Sequence, residues 1–205
     1  MSDQSIFWAD EIAQAIAKTS ESCVAATGIT PSGHIHIGNM REVLTADAVV
    51  KSLRQLGKEV TFYYIADTFD PLRRVYPFLD EETYLPHVGK PLSEIPGPGD
   101  PNESYAEYFL RPFLESLQVL DIQVELVRAD QMYKEGRYVE NIIKAMEATD
   151  LIRAILKEET GKDTPEHWSP FTPICQYTGK MTGNMVLGFD AQKKTVHYKN
   201  EEGQE

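Results

Sequence analysis

The chain has 205 residues, 41% of them hydrophobic and 25% charged, and carries a net charge of −12. That length buries a full core without disulfides, no apolar run is long enough to span a bilayer, and the polar, acidic start is no secretory signal. So acidic a chain repels nucleic acid at long range, which argues against a general RNA-binding protein and leaves any RNA contact to a local basic surface or another domain. The two cysteines, Cys23 and Cys175, are far apart in sequence. Cys23, in an apolar stretch, reads as a small core residue, and a reducing cytoplasm is the expected setting.

Apolar residues at helical spacing predict a first helix over 6–18, from Ile6 to Ala17. Cys23 to Gly28 is short, apolar and small-residued, as in a buried parallel strand. A loop with Pro31 and Gly33 leads into a helix from Gly38 to Leu56, carrying Val43, Ala46, Val50 and Leu53 and stopped by Gly57. Val60 to Ala66 reads as a second strand, completing a βαβ unit. Residues 77–102, rich in Pro and Gly, predict a long exposed insertion. A helix from Ser104 to Val119 follows, with Pro112 expected to bend or break it. Gln123 to Val127 alternates as a third strand, and Tyr138 to Glu159 reads as one helix. Beyond Gly161 the helical period is lost, and Met185–Phe189 and Thr195–Tyr198 look like short strands of a small β-rich module. Alternating strands and helices predict an α/β fold with a doubly wound parallel sheet.

The chemistry is concentrated in the loop from Thr27 to Glu42, which leaves the first strand and enters the helix. Ligands in such sheets bind beyond the carboxyl ends of the strands, near a helix N-terminus. His36 and Asn39 stand three apart at the helix start, where both can point at one phosphate and free backbone N–H groups add positive potential. The loop is neither a GxGxxG fingerprint nor a Walker A sequence. His87, His167 and His197 have no comparable context and read as structural or exposed.

Pro31–Ser32–Gly33–x–x–His36–x–Gly38–Asn39 resembles the HIGH signature of class I aminoacyl-tRNA synthetases, with Asn in the last place, as in the class I lysyl enzymes. Gly28–Ile29–Thr30 before it, Arg41–Glu42 after it, Asp67–x–x–Asp70–Pro71–Leu72–Arg73 and Glu103–Ser104–Tyr105–Ala106 are similar to the same family. The resemblance spans nearly the whole chain. It implies a Rossmann-like catalytic half over 1–165, with its insertion at about 77–102, and a module over 166–205 resembling a degenerate zinc ribbon. The implied reaction is attack of the carboxylate of L-lysine on the α-phosphate of ATP, followed by lysyl transfer to tRNA(Lys), with Mg2+ accompanying ATP. Pro31, Ser32, Gly33, His36, Gly38 and Asn39 are then the ATP-facing residues, with His36 and Asn39 as catalytic donors. Gly28 and Thr30 face the α-amino end of lysine, and Glu42, in the first turn of the helix, faces its side-chain ammonium. Asp67 and Asp70 are alternative acids; Asp70, before Pro71, also suits a turn.

The chain departs from that pattern in two ways. Where C-x-x-C pairs are expected it has Cys175–Gln176–Tyr177–Thr178 and Lys199–Asn200–Glu201–Glu202, and Pro101–Asn102 stands where a Cys-His pair is expected in the insertion. One cysteine does not make a tetrahedral site, so no zinc is expected. Instead Trp168, Phe171, Tyr177, Val186, Leu187, Phe189, Val196 and Tyr198 are expected to hold the module together. No KMSKS-like stretch occurs either; Gly179–Lys180–Met181–Thr182–Gly183 shares only a Lys-Met pair. The expectation is a fragment or truncated form that lacks the C-terminal half and activates lysine poorly alone. The rival readings are a non-catalytic nucleotide-binding paralogue and a small HxGH-type nucleotidyltransferase.

Overall fold

The computed structural model describes residues 7–205. In chain order the elements are α1 (Trp8–Ala17), β1 (Ser22–Ile29), α2 (Ile37–Gln55), β2 (Glu59–Ala66), α3 (Glu81–Tyr84), α4 (Tyr105–Val119), β3 (Glu125–Arg128), α5 (Ala129–Lys134), α6 (Val139–Glu147), α7 (Thr149–Thr160), β4 (Met185–Asp190) and β5 (Thr195–Lys199). Ile6, which the sequence reading placed in the first helix, lies outside the described residues. The chain groups into two compact units: one holds the chain up to Thr68 with Pro96–Ala129, the other Phe69–Ile95 with Asp130–Glu205. Among the described residues no helix is long and apolar enough to cross a membrane.

The first unit contains a parallel sheet in the order β1-β2-β3. β1 and β2 pair from Ser22↔Glu59 to Ile29↔Ala66, and β2 and β3 from Tyr63↔Glu125 to Ala66↔Arg128. The expected adjacency of the first two strands therefore holds, and the His36 loop leaves their carboxyl ends. Among the described strands β1 has a neighbour on one side only, and Val24 on it is 71% exposed. One face of the sheet carries the core, where Phe62, Tyr64 and Ala66 pack with Met40, Val43 and Val50 of α2 and Leu110, Phe113 and Leu117 of α4. Burial of these apolar side chains is the main stabilising term, about 1.5–3 kcal/mol for each large one.

α2 ends as its sequence predicts. Gly57 takes φ +77, which a Cβ would disfavour, and its N–H and that of Lys58 donate to the carbonyls of Arg54 and Leu53. α4 begins at Ser104, whose Oγ accepts from the Glu107 N–H at 3.2 Å. Pro112 neither breaks nor ends this helix, which runs unbroken to Val119. The apolar face of Phe109, Leu110, Phe113 and Leu117 is buried along its whole length, and that packing outweighs one missing hydrogen bond.

The second unit departs further from expectation. The predicted single helix over 138–159 is two helices, divided at Ala148 (φ −92, ψ 13). The Thr149 hydroxyl donates to the Met146 carbonyl at 2.6 Å, a local bond that competes with helix continuation. The predicted exposed insertion is in part buried: Leu79, Tyr84, Leu92 and Ile95 are all core residues. Its backbone is tied by hydrogen bonds from Leu72 N–H to Lys90 O and from Gly89 N–H to Leu72 O, and α3 is capped by Asp80.

β4 and β5, at the two short runs expected to be strands, pair antiparallel, with an irregularity between Val186 and Gly188. Tyr177 and Leu187 do not join the core of this module; both are exposed. Two turns clasp instead. Cys175, buried and free of a disulfide, accepts at Sγ from Asn200 Nδ2 at 3.5 Å, and Asn200 Nδ2 also donates to Gln204 Oε1 at 2.8 Å. The Gln176 N–H donates to Tyr198 Oη at 2.8 Å. Among the described residues no cluster of three or more His, Cys, Asp or Glu is placed to hold a metal ion.

Burial pushes the Cys175 thiol up, but donors from Thr178, Asn200 and the Thr178 and Tyr177 backbone outweigh it and bring the value from 9.0 down to about 6. A folded value below the unfolded one stabilises the fold fully above pH 9, and that contribution is lost as pH falls through about 6. Melting curves of wild type and Cys175→Ser should differ most near pH 9 and converge towards pH 6; a constant difference across that range would contradict a bound thiolate.

Candidate active site

The loop from Thr30 to His36 is held from below. The Tyr105 hydroxyl, on the first turn of α4, donates to the Ser32 carbonyl at 2.7 Å. The His34 ring meets Phe109 edge-on at 5.0 Å, Pro31 is fully buried, and the Ser32 N–H donates to the Thr30 carbonyl at 2.8 Å. The Glu103–Ser104–Tyr105–Ala106 block thus has a physical role: it starts the helix that fixes the loop.

His36 is the N-cap of α2. Its Nδ1 accepts from the Gly38 N–H at 3.0 Å, and its own N–H donates to Asn39 Oδ1 at 3.2 Å. Each bond determines what remains for a ligand. A neutral ring that accepts at Nδ1 carries its proton on Nε2, so the outer edge of the ring is a donor. An amide that accepts at Oδ1 leaves Nδ2 with its two hydrogens. Two side-chain donors therefore stand at the positive end of a 19-residue helix. A Cβ on Gly38 would lie 2.8 Å from Cε1 of the His36 ring and would push the ring from its cap position.

Glu42 is in the second turn of α2, not the first, because the helix starts at Ile37. Its Oε1 accepts from the Gly28 N–H at 3.1 Å, which fastens the helix to the end of β1. Gly28 faces β2 at equally close quarters: a Cβ on it would stand 2.4 Å from the Ile65 carbonyl oxygen. Asp67 follows β2 directly, and its N–H donates to the Ile29 carbonyl at 3.1 Å. The first unit thus brings together Gly28, Thr30, His36, Asn39, Glu42 and Asp67 at the carboxyl ends of β1 and β2, with Gly33 in the connecting loop. Asp70 belongs to the second unit. Its carbonyl accepts from the Leu92 N–H and its carboxylate lies 3.8 Å from Arg73.

A cleft of about 720 Å³ runs along the open edge of β1, from Trp8, Ile12 and Ile16 at one end to Thr27, Asn39 and Glu42 at the other. Only the second end carries polar groups suited to a charged ligand.

The family described as "tRNA synthetases class I (K)" matches residues 6–205. The chain belongs to the class I tRNA synthetases. Among curated relatives, the lysine–tRNA ligase of Methanosarcina barkeri (strain Fusaro) is 54% identical over 193 residues, 94% of this chain and 36% of that protein. That of Archaeoglobus fulgidus is 51% identical over 183 residues, 89% of this chain and 37% of its own. That of Thermoplasma acidophilum is 34% identical over 185 residues, 90% and 36% respectively. The chain spans little more than a third of the length of these synthetases.

Sequence reasoning gave no sign of two buried groups near these residues. Thr27 and Tyr64 are register partners on β1 and β2, and both hydroxyls are buried with no hydrogen-bond partner. Such a group costs about 1–3 kcal/mol. Burial first, then the charges of Glu42 and Asp67, push the Tyr64 hydroxyl well above the ordinary tyrosine value, so it stays protonated. Within an apolar-looking strand neither residue signals anything; only their shared register does.

Two substitutions test how the site is held. Gly28→Ala should destabilise the chain by about 1–3 kcal/mol, because the clash is with backbone; an unchanged melting temperature would refute the close approach. Tyr105→Phe should cost about 1 kcal/mol, with faster amide exchange confined to residues 30–36.

Proposed function

We propose that this chain provides the HIGH-type portion of a lysine–tRNA ligase, binding ATP and L-lysine for lysyl-adenylate formation. The observation that carries the reading is the His36–Asn39 cap, which turns two donors outward at a helix N-terminus in a chain 54% identical to a lysine–tRNA ligase over 94% of its length. ATP enters as its Mg2+ complex. The lysine carboxylate attacks the α-phosphorus, the bond to the bridging oxygen breaks, and pyrophosphate leaves with that oxygen. Negative charge grows on the phosphate oxygens during this step, and donors fixed before the reaction stabilise it without reorganising. His36 Nε2–H and Asn39 Nδ2–H supply them, and Pro31, Ser32, Gly33 and Gly38 shape the approach.

Gly28 and Thr30 hold the α-amino end of lysine, and Glu42 and Asp67 supply negative charge for its side-chain ammonium. Asp70 is a weaker candidate, since its carboxylate already has Arg73 beside it. Transfer to the 3′ end of tRNA(Lys) belongs to the whole enzyme. An acidic surface gives tRNA little to hold, so in this reading that contact, and the opposite side of the triphosphate clamp, come from further sequence in cis or in trans. Two free cysteines fit a cytoplasmic setting.

Removing one positioned donor to a transition-state oxyanion costs about 2.7–4 kcal/mol, and the donors of a KMSKS loop have no counterpart in these 205 residues. Lysine-dependent ATP–pyrophosphate exchange should therefore be weak for this chain, far below that of a full-length relative, and weaker still after His36→Ala. Exchange equal to the full-length enzyme, and lost on His36→Ala, would show that the opposite loop is dispensable; identical trace exchange in wild type and variant would favour a non-catalytic nucleotide-binding chain.

A further inference from the structure

Most buried hydroxyls in folded proteins have a partner, because an unpaired one is destabilising. Here two belong to residues paired in register. Thr27 and Tyr64 are opposite each other in the β1–β2 register, their side chains on the same face of the sheet, and they are 7% and 1% exposed. Neither oxygen has a hydrogen-bond partner. The pair sits one residue before Gly28 and two before Ala66, at the carboxyl ends where ligands of such sheets bind. The Glu42 and Asp67 carboxylates both act on the Tyr64 hydroxyl, and Arg41 lines the same cleft as Thr27 and Glu42.

We propose that Thr27 and Tyr64 are specificity-determining residues for the side-chain ammonium of lysine, their hydroxyls accepting its hydrogens beside the Glu42 and Asp67 carboxylates. This rests on the lysine reading above and adds two residues to it. An ammonium has three hydrogens to place in a fixed, roughly tetrahedral arrangement. Carboxylates supply the charge, and neutral oxygens complete the shell without adding a further negative charge. Tyr64 suits that part because it stays protonated and neutral next to two acids. Phe113 packs on its ring at 5.0 Å and holds it in place. Entry is past Glu42, whose exposed side chain accepts from the Gly28 N–H at 3.1 Å at the open edge of the sheet. A cation drawn to Glu42 approaches the hydroxyls from that edge. The cost of two unpaired hydroxyls is then a property of the empty chain that the substrate removes.

The substitutions that delete only the oxygens are Tyr64→Phe and Thr27→Val. Each variant and the wild type is titrated with lysine and with norleucine, which lacks the ammonium, following amide chemical shifts, and each is melted without ligand. The expected result combines opposite signs: both variants melt at or above the wild-type temperature, Tyr64→Phe binds lysine about 10- to 100-fold more weakly, and norleucine binding is unchanged. Variants that gain stability but keep wild-type lysine affinity would show a purely structural pair and overturn the proposal alone. Equal weakening for lysine and norleucine would also overturn it, as would a lowered melting temperature, which means the hydroxyls are already satisfied. A wild-type chain that binds no lysine at millimolar concentration would overturn both this inference and the reading beneath it.

Discussion

At Gly28 two requirements meet in one residue. Its missing side chain lets β1 lie against β2 where a Cβ would strike the Ile65 carbonyl, and its N–H holds the Glu42 carboxylate of α2. Strand pairing and helix docking are thereby fixed within one peptide unit. The placement of His36, Asn39 and Asp67 follows, because the loop between β1 and α2 has no freedom left at either end. Tyr105 removes what remains by holding the Ser32 carbonyl from the far side.

The groups offered to a ligand are the same ones that start the helix. His36 and Asn39 satisfy each other's neighbourhood, one by accepting from Gly38, the other by accepting from His36. In doing so they fix which ring nitrogen and which amide atom face outward. A cap is normally judged by the stability it lends its helix. Here it also sets donor polarity: the Asn39 amide accepts from the N-cap at Oδ1 and keeps both Nδ2 hydrogens for a ligand.

Much of this was legible in the sequence, because burial writes itself as periodicity. β1 and β2 are short apolar runs, α2 repeats every three to four residues, and Gly57 marks its end. The two short strands between 185 and 199 announced themselves by the turn residues around them. What was not legible depended on three-dimensional competition. Pro112 signals a break, yet the buried face of α4 holds that helix whole. The division at Ala148 carries no Pro or Gly; it follows a threonine hydroxyl taking a carbonyl from the helix before it. The insertion looks exposed by composition, but Leu92 and Ile95 are buried within it. Glu42 was found by motif, one turn early. Thr27 and Tyr64 could not be found at all, since an unpaired hydroxyl is a property of an environment.

β1 has consequences outside any active site. Among the described strands it has one neighbour, and with an uncovered valine it offers a ready template for another polypeptide. Twelve excess negative charges keep copies of the chain from using it. That protection is colloidal, not structural, and it vanishes as the solution approaches the isoelectric point near pH 4.9 or as salt shortens the reach of the charges. Mild acid and high ionic strength are therefore the conditions under which this fold, still intact, would begin to precipitate.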